Sequence, residues 1–344
     1  MNMNMNMNMN MNMNMNMNIE IDIVITWVDP SNENWLKEKE YWFKKIKGTD
    51  MIYNKMSQYA PFDEIKYLLR SVEKYMPWYR HIFIVTNNSY PKWINKNHPK
   101  LTIINYENLM PNNICTYNSH AIESMLYKIP NLSDYFYYFN DDMILLKPVK
   151  IENIIDNTTG KILYPTETDI ILSSFQRYDF LKKIEETFFK VDPGVANSRR
   201  HSIKRMNIPF KKIVSGHTPK LLNKRLCHIF NKKFEKEINE LMENKFRTYT
   251  NFTYLEAFIH YHIYKKIARW NDQTTRIIGI SDHNLLNNIQ ILLTYPNKSI
   301  YDYLAIEDIR TKIVSENEKI IIDFLDKLFP EKSSFELGNK IRIQ

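Results

Sequence analysis

Two adjacent carboxylates, Asp141 and Asp142, interrupt one of the most apolar stretches of the chain, YFYYFNDDMILLKPV at 135–149. Burying a carboxylate is costly unless a cation or hydrogen-bond donors meet it. Open α/β sheets bind their ligands beyond the carboxyl ends of their strands, so an apolar strand that stops at such a pair reads as an active-site rim. The chemistry expected of the pair is to hold a Mg²⁺ or Mn²⁺ ion and, through it, a phosphate. A solvated turn between two hairpin strands is the other reading these residues permit.

The elements around the pair follow from patterning. Residues 135–139 are five consecutive aromatics, a run that suits a strand buried on both faces of a parallel sheet. IDIVITWV at 21–28 is a β-branched strand that ends at the turn signal Asp29-Pro30-Ser31-Asn32. Asp63 and Glu64 open a helix to Tyr75 with Ile65, Leu68, Leu69 and Val72 on one face, and Pro77 stops it. Strands are expected at 81–85 and 101–106, and Asn118 or Ser119 can cap a helix over 120–129. Strands alternating with helices predict a Rossmann-like α/β unit in which Asp29, Asn87 and Asp141 converge on one edge. Further on, 161–163 and 169–172 read as edge strands. The stretches 180–190, 195–206, 219–229 and 253–268 read as helices, as does the region 277–344. His260 and His262 read as packing or surface residues, because a spacing of two suits a strand metal site rather than a helical one.

Composition narrows the function. The 344 residues are 44% hydrophobic and 13% aromatic, enough for a sizeable core. No run of roughly 18 apolar residues reads as a membrane span and no stretch resembles a signal peptide, so a cytoplasmic address is expected. Cys115 and Cys227 form neither a metal spacing nor a disulfide framework. The six glycines are too scattered for a GxGxxG turn or a GxxxxGK loop, so any phosphate must be held by side chains and a metal. Residues 1–18 are nine copies of Met-Asn, read as a disordered tail. The net charge of +8 is concentrated: 181–250 holds 17 Lys/Arg against 7 Asp/Glu, which points to an anionic partner.

Four blocks resemble the Stealth proteins, a family of bacterial capsular polysaccharide phosphotransferases related to the catalytic subunit of the lysosomal-enzyme GlcNAc-1-phosphotransferase. They are IDIVITWVDPSNENW at 21–35, FDEIKYLLRSVEKYMPWYRHIFIVTNNSYPKWI at 62–94 and YNSHAIESMLYKIPNLSDYFYYFNDDMILLKPV at 117–149. The fourth is split into GVANSRRHSIKRM at 194–206, GHTPKLLNK at 216–224 and NKFRTYTNFTYLEAFIHYHIY at 244–264. Asp29-Pro30 stands where relatives often have Asn-Gly. The resemblance implies a glycosyltransferase-A-like α/β fold over 19–270, followed by a helical extension over 271–344.

It also implies an unusual reaction. An acceptor hydroxyl attacks the β-phosphorus of a UDP-sugar, forming a sugar phosphodiester and releasing UMP. On that resemblance Asp141 and Asp142 hold the metal, with Asn140 orienting them. Arg199, Arg200 and Arg247 fork phosphate oxygens, Arg200 in preference to Arg199. His217 is the general base, imidazoles titrating near neutral pH. Thr26, Trp27 and Asp29 line the nucleotide pocket. Asn118, His120, Glu123 and Asn197 meet donor sugar or metal, although His120 and Glu123 could equally cap and pack their helix. The implied partners are a UDP-sugar and a glycan acceptor, with peripheral contact at the inner membrane through the basic block. The rivals are a conventional glycosyltransferase releasing UDP and a basic binding module. No nucleic-acid motif supports the latter.

Overall fold

The computed structural model describes residues 19–29, 31–46, 63–166, 201–209, 217–248, 251–274, 277–280, 285–294, 301–306 and 314–338. In chain order it runs through β1 (Ile21–Thr26), α1 (Glu33–Lys45), α2 (Glu64–Tyr75), β2 (Ile82–Thr86) and β3 (Leu101–Asn105). Then come α3 (Ser119–Glu123), β4 (Tyr135–Asn140), β5 (Met143–Leu145), β6 (Ile162–Thr166) and β7 (Lys220–Asn223). The remainder is α4 (Lys224–Lys233), α5 (Glu235–Glu243), α6 (Tyr254–Tyr264), β8 (Ala268–Thr274), β9 (Ile277–Ile280), α7 (Leu285–Thr294), β10 (Tyr303–Ile306) and α8 (Val314–Leu328).

The main sheet has the order β3-β2-β1-β4-β7, with the first four strands parallel and β7 antiparallel to β4. The expected α/β class is therefore what the chain adopts. β1 and β4 sit at the centre, and Ile21, Ile23, Val24, Ile25, Phe136 and Phe139 are at most 0% exposed. The predicted face of α2 is buried as its spacing requires, with Ile65, Leu68, Leu69 and Val72 fully enclosed. Each such side chain contributes about 1.5–3 kcal/mol on burial. The register sets Thr26 beside Val85 on one side and Asn140 on the other, so the ends of three strands lie level.

The alternative of a hairpin turn at Asp141 and Asp142 is not what forms, because β5 leaves the main sheet and pairs with β10. Three expectations are corrected. The helix expected over 219–229 is split into strand and helix. Leu221 and Leu222 bury against β4, and the Asn223 side chain accepts a hydrogen bond from the Leu226 amide at 3.1 Å, capping α4. The helix expected over 120–129 stops at Glu123, and a single 3₁₀ turn, Leu126–Lys128, follows. Finally, the C-terminal region is not wholly helical: β9 and β10 lie parallel to each other in a sheet with β5. The division expected at residue 270 falls within β8, which pairs with β6. The expectations for 1–18, 169–172 and 180–190 lie outside the described residues, as does 195–200 of the helix expected over 195–206, of which 201–205 are helical.

The end of the chain is bound to α2. Arg70 forks Glu336 with two 2.8 Å bonds, and both side chains are nearly buried. The same guanidinium donates to the Phe329 carbonyl at 2.7 Å and to Asp326 at 3.2 Å. Among the described residues no helix is long and apolar enough to cross a membrane.

Candidate active site

The site is built on the carboxyl ends of β1, β2 and β4. At the end of β4, Asn140 is held by the buried Tyr138 hydroxyl, which donates to its Oδ1 at 2.6 Å and lies 3.0 Å from Thr26 Oγ1 on β1. Asp141 and Asp142 form the turn that follows. Asp142 Oδ2 lies 2.8 Å from His217 Nε2, while its Oδ1 is buried and meets no hydrogen-bond donor among the described residues. Burial, reinforced by the neighbouring Asp142 charge, pushes the Asp141 carboxyl up to about 7.

His217 reaches this turn because β7 is antiparallel to β4. The residues that enter β7, not those that leave it, therefore lie at the carboxyl end of β4. Lys220 pairs with Tyr138 in the ladder, and the chain just before it passes the aspartates.

A third carboxylate stands behind the pair. Glu64, in the first turn of α2, is 6% exposed, and burial followed by the charges of Asp141 and Asp142 pushes its carboxyl well above the usual range. Helix α2 is brought there by its packing on β5, where the Leu145 amide donates to Ser71 Oγ at 3.1 Å. Glu64 was read from sequence only as a helix-opening acid. Its signal was its place one turn before Leu68, on the buried face.

The other expected residues divide. Asp29 and Asn87 do converge: the Asp29 amide donates to Asn87 Oδ1 at 2.9 Å, and Asn87 Nδ2 donates back to the Asp29 carbonyl at 3.2 Å. The Asp29 carboxylate is engaged by its own loop, accepting from the Ser31 amide and hydroxyl and from the Ser89 hydroxyl. Burial pushes its carboxyl up, but the hydrogen bonds from Ser89 and Ser31 outweigh this and hold it below its usual value. Trp27 is half-buried, its amide donating to the Val85 carbonyl at 3.0 Å.

Asn118 is fully buried and caps α3, its Oδ1 accepting from the His120 amide at 3.2 Å. Its Nδ2 donates to Asn251 Oδ1 at 3.0 Å, which ties the loop carrying Arg247 to the start of α3. The Tyr117 amide adds a 2.7 Å bond to the Lys245 carbonyl. His120 Nδ1 and Glu123 Oε2 are 3.1 Å apart, so these two meet each other first. Asn197, Arg199 and Arg200 lie outside the described residues. His262 is a packing residue: its ring contacts Phe258, and burial pulls it down to about 4. His260 packs on Trp270 beside Glu256.

The donor set fits a divalent cation, although no group of three or more His, Cys, Asp or Glu converges as a ligand set among the described residues. The fit rests on the unpaired Asp142 Oδ1 and on the mutual repulsion of Glu64, Asp141 and Asp142, which a cation would relieve.

Comparison with known proteins agrees with the motifs. Residues 58–163 match the family profile described as Stealth protein CR2, conserved region 2. The resemblance to the Stealth family holds. The chain is 29% identical over 326 residues to the capsular polysaccharide phosphotransferase SacB of Neisseria meningitidis serogroup A, covering 91% of this chain and 56% of SacB. It is 30% identical over 247 residues to the capsular polysaccharide phosphotransferase cps1A of Actinobacillus pleuropneumoniae, covering 70% of this chain and 64% of that protein. The Stealth-like chain thus spans a little over half the length of SacB. Among solved structures, the galactosyltransferase LgtC in complex with donor and acceptor sugar analogues is similar at a TM-score of 0.42 and 10% identity, over 87% of this chain and 95% of LgtC. A likeness that loose adds nothing to the sheet already described.

Proposed function

We propose that this Stealth-like protein is a sugar-1-phosphate transferase: it moves hexose-1-phosphate, for example GlcNAc-1-phosphate or ManNAc-1-phosphate, from a UDP-sugar to a glycan hydroxyl in capsular or surface polysaccharide synthesis, releasing UMP. The observation that carries this reading is the division of labour at Asp142, whose Oδ2 faces His217 at 2.8 Å while Oδ1 is left for a cation. His217, facing Asp142, takes the proton of the acceptor hydroxyl as its oxygen bonds to the β-phosphorus, and the bond to the UMP oxygen breaks with its electron pair. A Mg²⁺ or Mn²⁺ ion held by Asp141 and Asp142 would supply charge neutralisation for the diphosphate. Arg247 adds a fork for phosphate oxygens.

Support for the capsule setting comes from the names of the relatives. A 240 Å³ recess lined by Tyr137, Lys147, Asn153, Pro219, Asn271 and Tyr303 lies two residues along the chain from His217 and suits the acceptor. A UDP-sugar donor places the reaction on the cytoplasmic side, with the exposed Arg225, Lys232 and Lys233 of α4 available to an anionic membrane. Sedimentation with anionic vesicles at low salt tests that contact.

The deciding experiment supplies purified protein with Mg²⁺, a panel of UDP-hexoses and capsule-type oligosaccharides. UMP release that is lost with EDTA and with His217→Ala is the expected result. Release of UDP would mean attack at the anomeric carbon and would sink the phosphotransfer reading.

A further inference from the structure

A cavity of 410 Å³ lies along β3, the strand that ends the main sheet, and the transfer chemistry makes no use of it. That volume is in the range of small-molecule sites. Its course follows from the register. Arg80 and His81 precede β2 at one end, while Asn105 at the other stands level with Thr86, beside the rim where Asp29 and Asn87 converge. Thr102 to Asn105 span roughly 10 Å at about 3.3 Å per residue.

The walls of the cavity differ in chemistry. Phe83 and Leu109 are buried beneath it and Ile104 is half-buried, which gives it an apolar floor. Arg80 spends its charge elsewhere: it forks the buried Asp22, and Glu20 lies 3.9 Å away. The same guanidinium donates to the Asn131 carbonyl at 2.7 Å, which fixes the loop at the rim. His81 Nε2 sits 2.8 Å from the Thr102 hydroxyl. Lys128, Asn108 and Asn131 stand exposed around the opening, and among the described residues their side chains meet no hydrogen-bond or ionic partner. No acidic side chain among the described residues lines the cavity.

One spare cation, two open amides and an apolar floor suit a ligand with one negative charge, several hydroxyls and an apolar ring face. A hexose in phosphodiester linkage has those features: the diester is a monoanion, its hydroxyls pair with amides, and the C–H face of the ring lies on Phe83. A nucleoside diphosphate carries more charge than Lys128 alone can meet.

We propose that this cavity is a second glycan subsite, holding one sugar phosphodiester of the acceptor chain away from its reacting end, with Lys128 on the phosphate and Asn108 and Asn131 on hydroxyls. This rests on the product being a phosphodiester glycan, as proposed above. A second contact of that kind keeps the growing chain on the protein between additions, because rebinding of its end becomes intramolecular.

The test needs no transfer. The methyl phosphodiester of GlcNAc-1-phosphate is titrated into the full chain by calorimetry, with EDTA present. Wild type and His217→Ala are expected to bind it equally, and Lys128→Arg to keep most of the affinity. Lys128→Glu should bind roughly tenfold more weakly, as the loss of one bond to a charged group requires, and Asn108→Asp should also weaken binding. Lys128 and Asn108 are exposed, so a wild-type Tm is expected for both variants. No binding by the wild type, or unchanged binding by Lys128→Glu, overturns the subsite. Loss of binding in His217→Ala overturns it too, by placing the ligand at the transfer site. Equal affinity for inorganic phosphate or for neutral methyl GlcNAc does the same, since only one half of the ligand would then be recognised. Diester binding through Lys128 in a protein that releases no UMP would refute the transfer reading and leave the subsite standing. UMP release by Lys128→Glu with a wild-type KM for a long phosphodiester acceptor would do the reverse.

Discussion

Helix α2 carries two buried charges of opposite fate. Arg70 is met by Glu336 in a two-bond fork and by two further acceptors, and this holds the Glu336 carboxyl below its usual value against the upward push of burial. Glu64, one and a half turns earlier, faces Asp141 and Asp142 instead, and is driven far up. Two positions on one helix thus separate what a charge does for a fold from what it does for a site. A compensated pair fastens distant segments. An uncompensated cluster raises the energy of the protein alone and is relieved only by something that binds.

The contrast can be broken from either end. The largest effect is expected at the site: Asp142→Asn should lower UMP release roughly 10³-fold or more, since it removes both a cation oxygen and the partner of His217. Its Tm should stay level or rise, because one of the charges repelling Glu64 is gone. Differential scanning calorimetry beside the nucleotide assay reads both. At the fastening end, Arg70→Met should cost about 3–5 kcal/mol in urea unfolding, the penalty of leaving a buried Glu336 without its partner. A loss below 1 kcal/mol would mean the fork is a surface pair.

pH sharpens the contrast further, because the two glutamates act with opposite sign. Glu336 titrates lower in the fold than in the unfolded chain, so its contribution is present above the ordinary value of 4.5 and lost as pH falls through its folded value. Glu64 titrates higher in the fold, so its contribution is full below 4.5 and lost as pH rises through its folded value. Metal-free Glu64→Gln should therefore flatten the fall in Tm on the alkaline side, and Glu336→Gln the fall on the acid side. Identical profiles for the two variants would contradict the assignment. The smallest effect is expected for Tyr138→Phe. Losing the hydroxyl that bridges Thr26 and Asn140 should slow transfer by about 1 kcal/mol, a few-fold in kcat, with KM little changed.

What the sequence made legible was whatever its local pattern determines. The apolar spacing of α2 and the aromatic run of β4 announce buried faces, and both are buried as expected. The convergence of Asp29 and Asn87 followed from strand ends alone. The nearness of His217 to Asp142, 75 residues apart, did not: it depends on pairing β7 with β4, and it was expected only through the family resemblance. β7 itself was missed because KLLN is four residues long and begins with a lysine, which local pattern reads as basic helix. That lysine is in fact buried, its Nζ donating to the Thr218 carbonyl and hydroxyl at 2.6 Å each. β9 and β10 were missed because, among the described residues, β9 pairs only with β10, and β10 depends on β5, far back in the chain. Glu64 was overlooked because charged residues in a helix are normally solvated, and only tertiary packing shows which are enclosed.

The fork between Arg70 and Glu336 joins residues separated by 266 positions. On a ribosome the strands and helices of the first half emerge long before Glu336 does, at roughly 5–20 residues per second. Throughout that interval the acceptors that Arg70 meets among the described residues, at 326, 329 and 336, have yet to be made. The order of synthesis therefore makes the last stretch of the described chain the latch, and a nascent chain arrested before it is expected to stay open to proteases and chaperones.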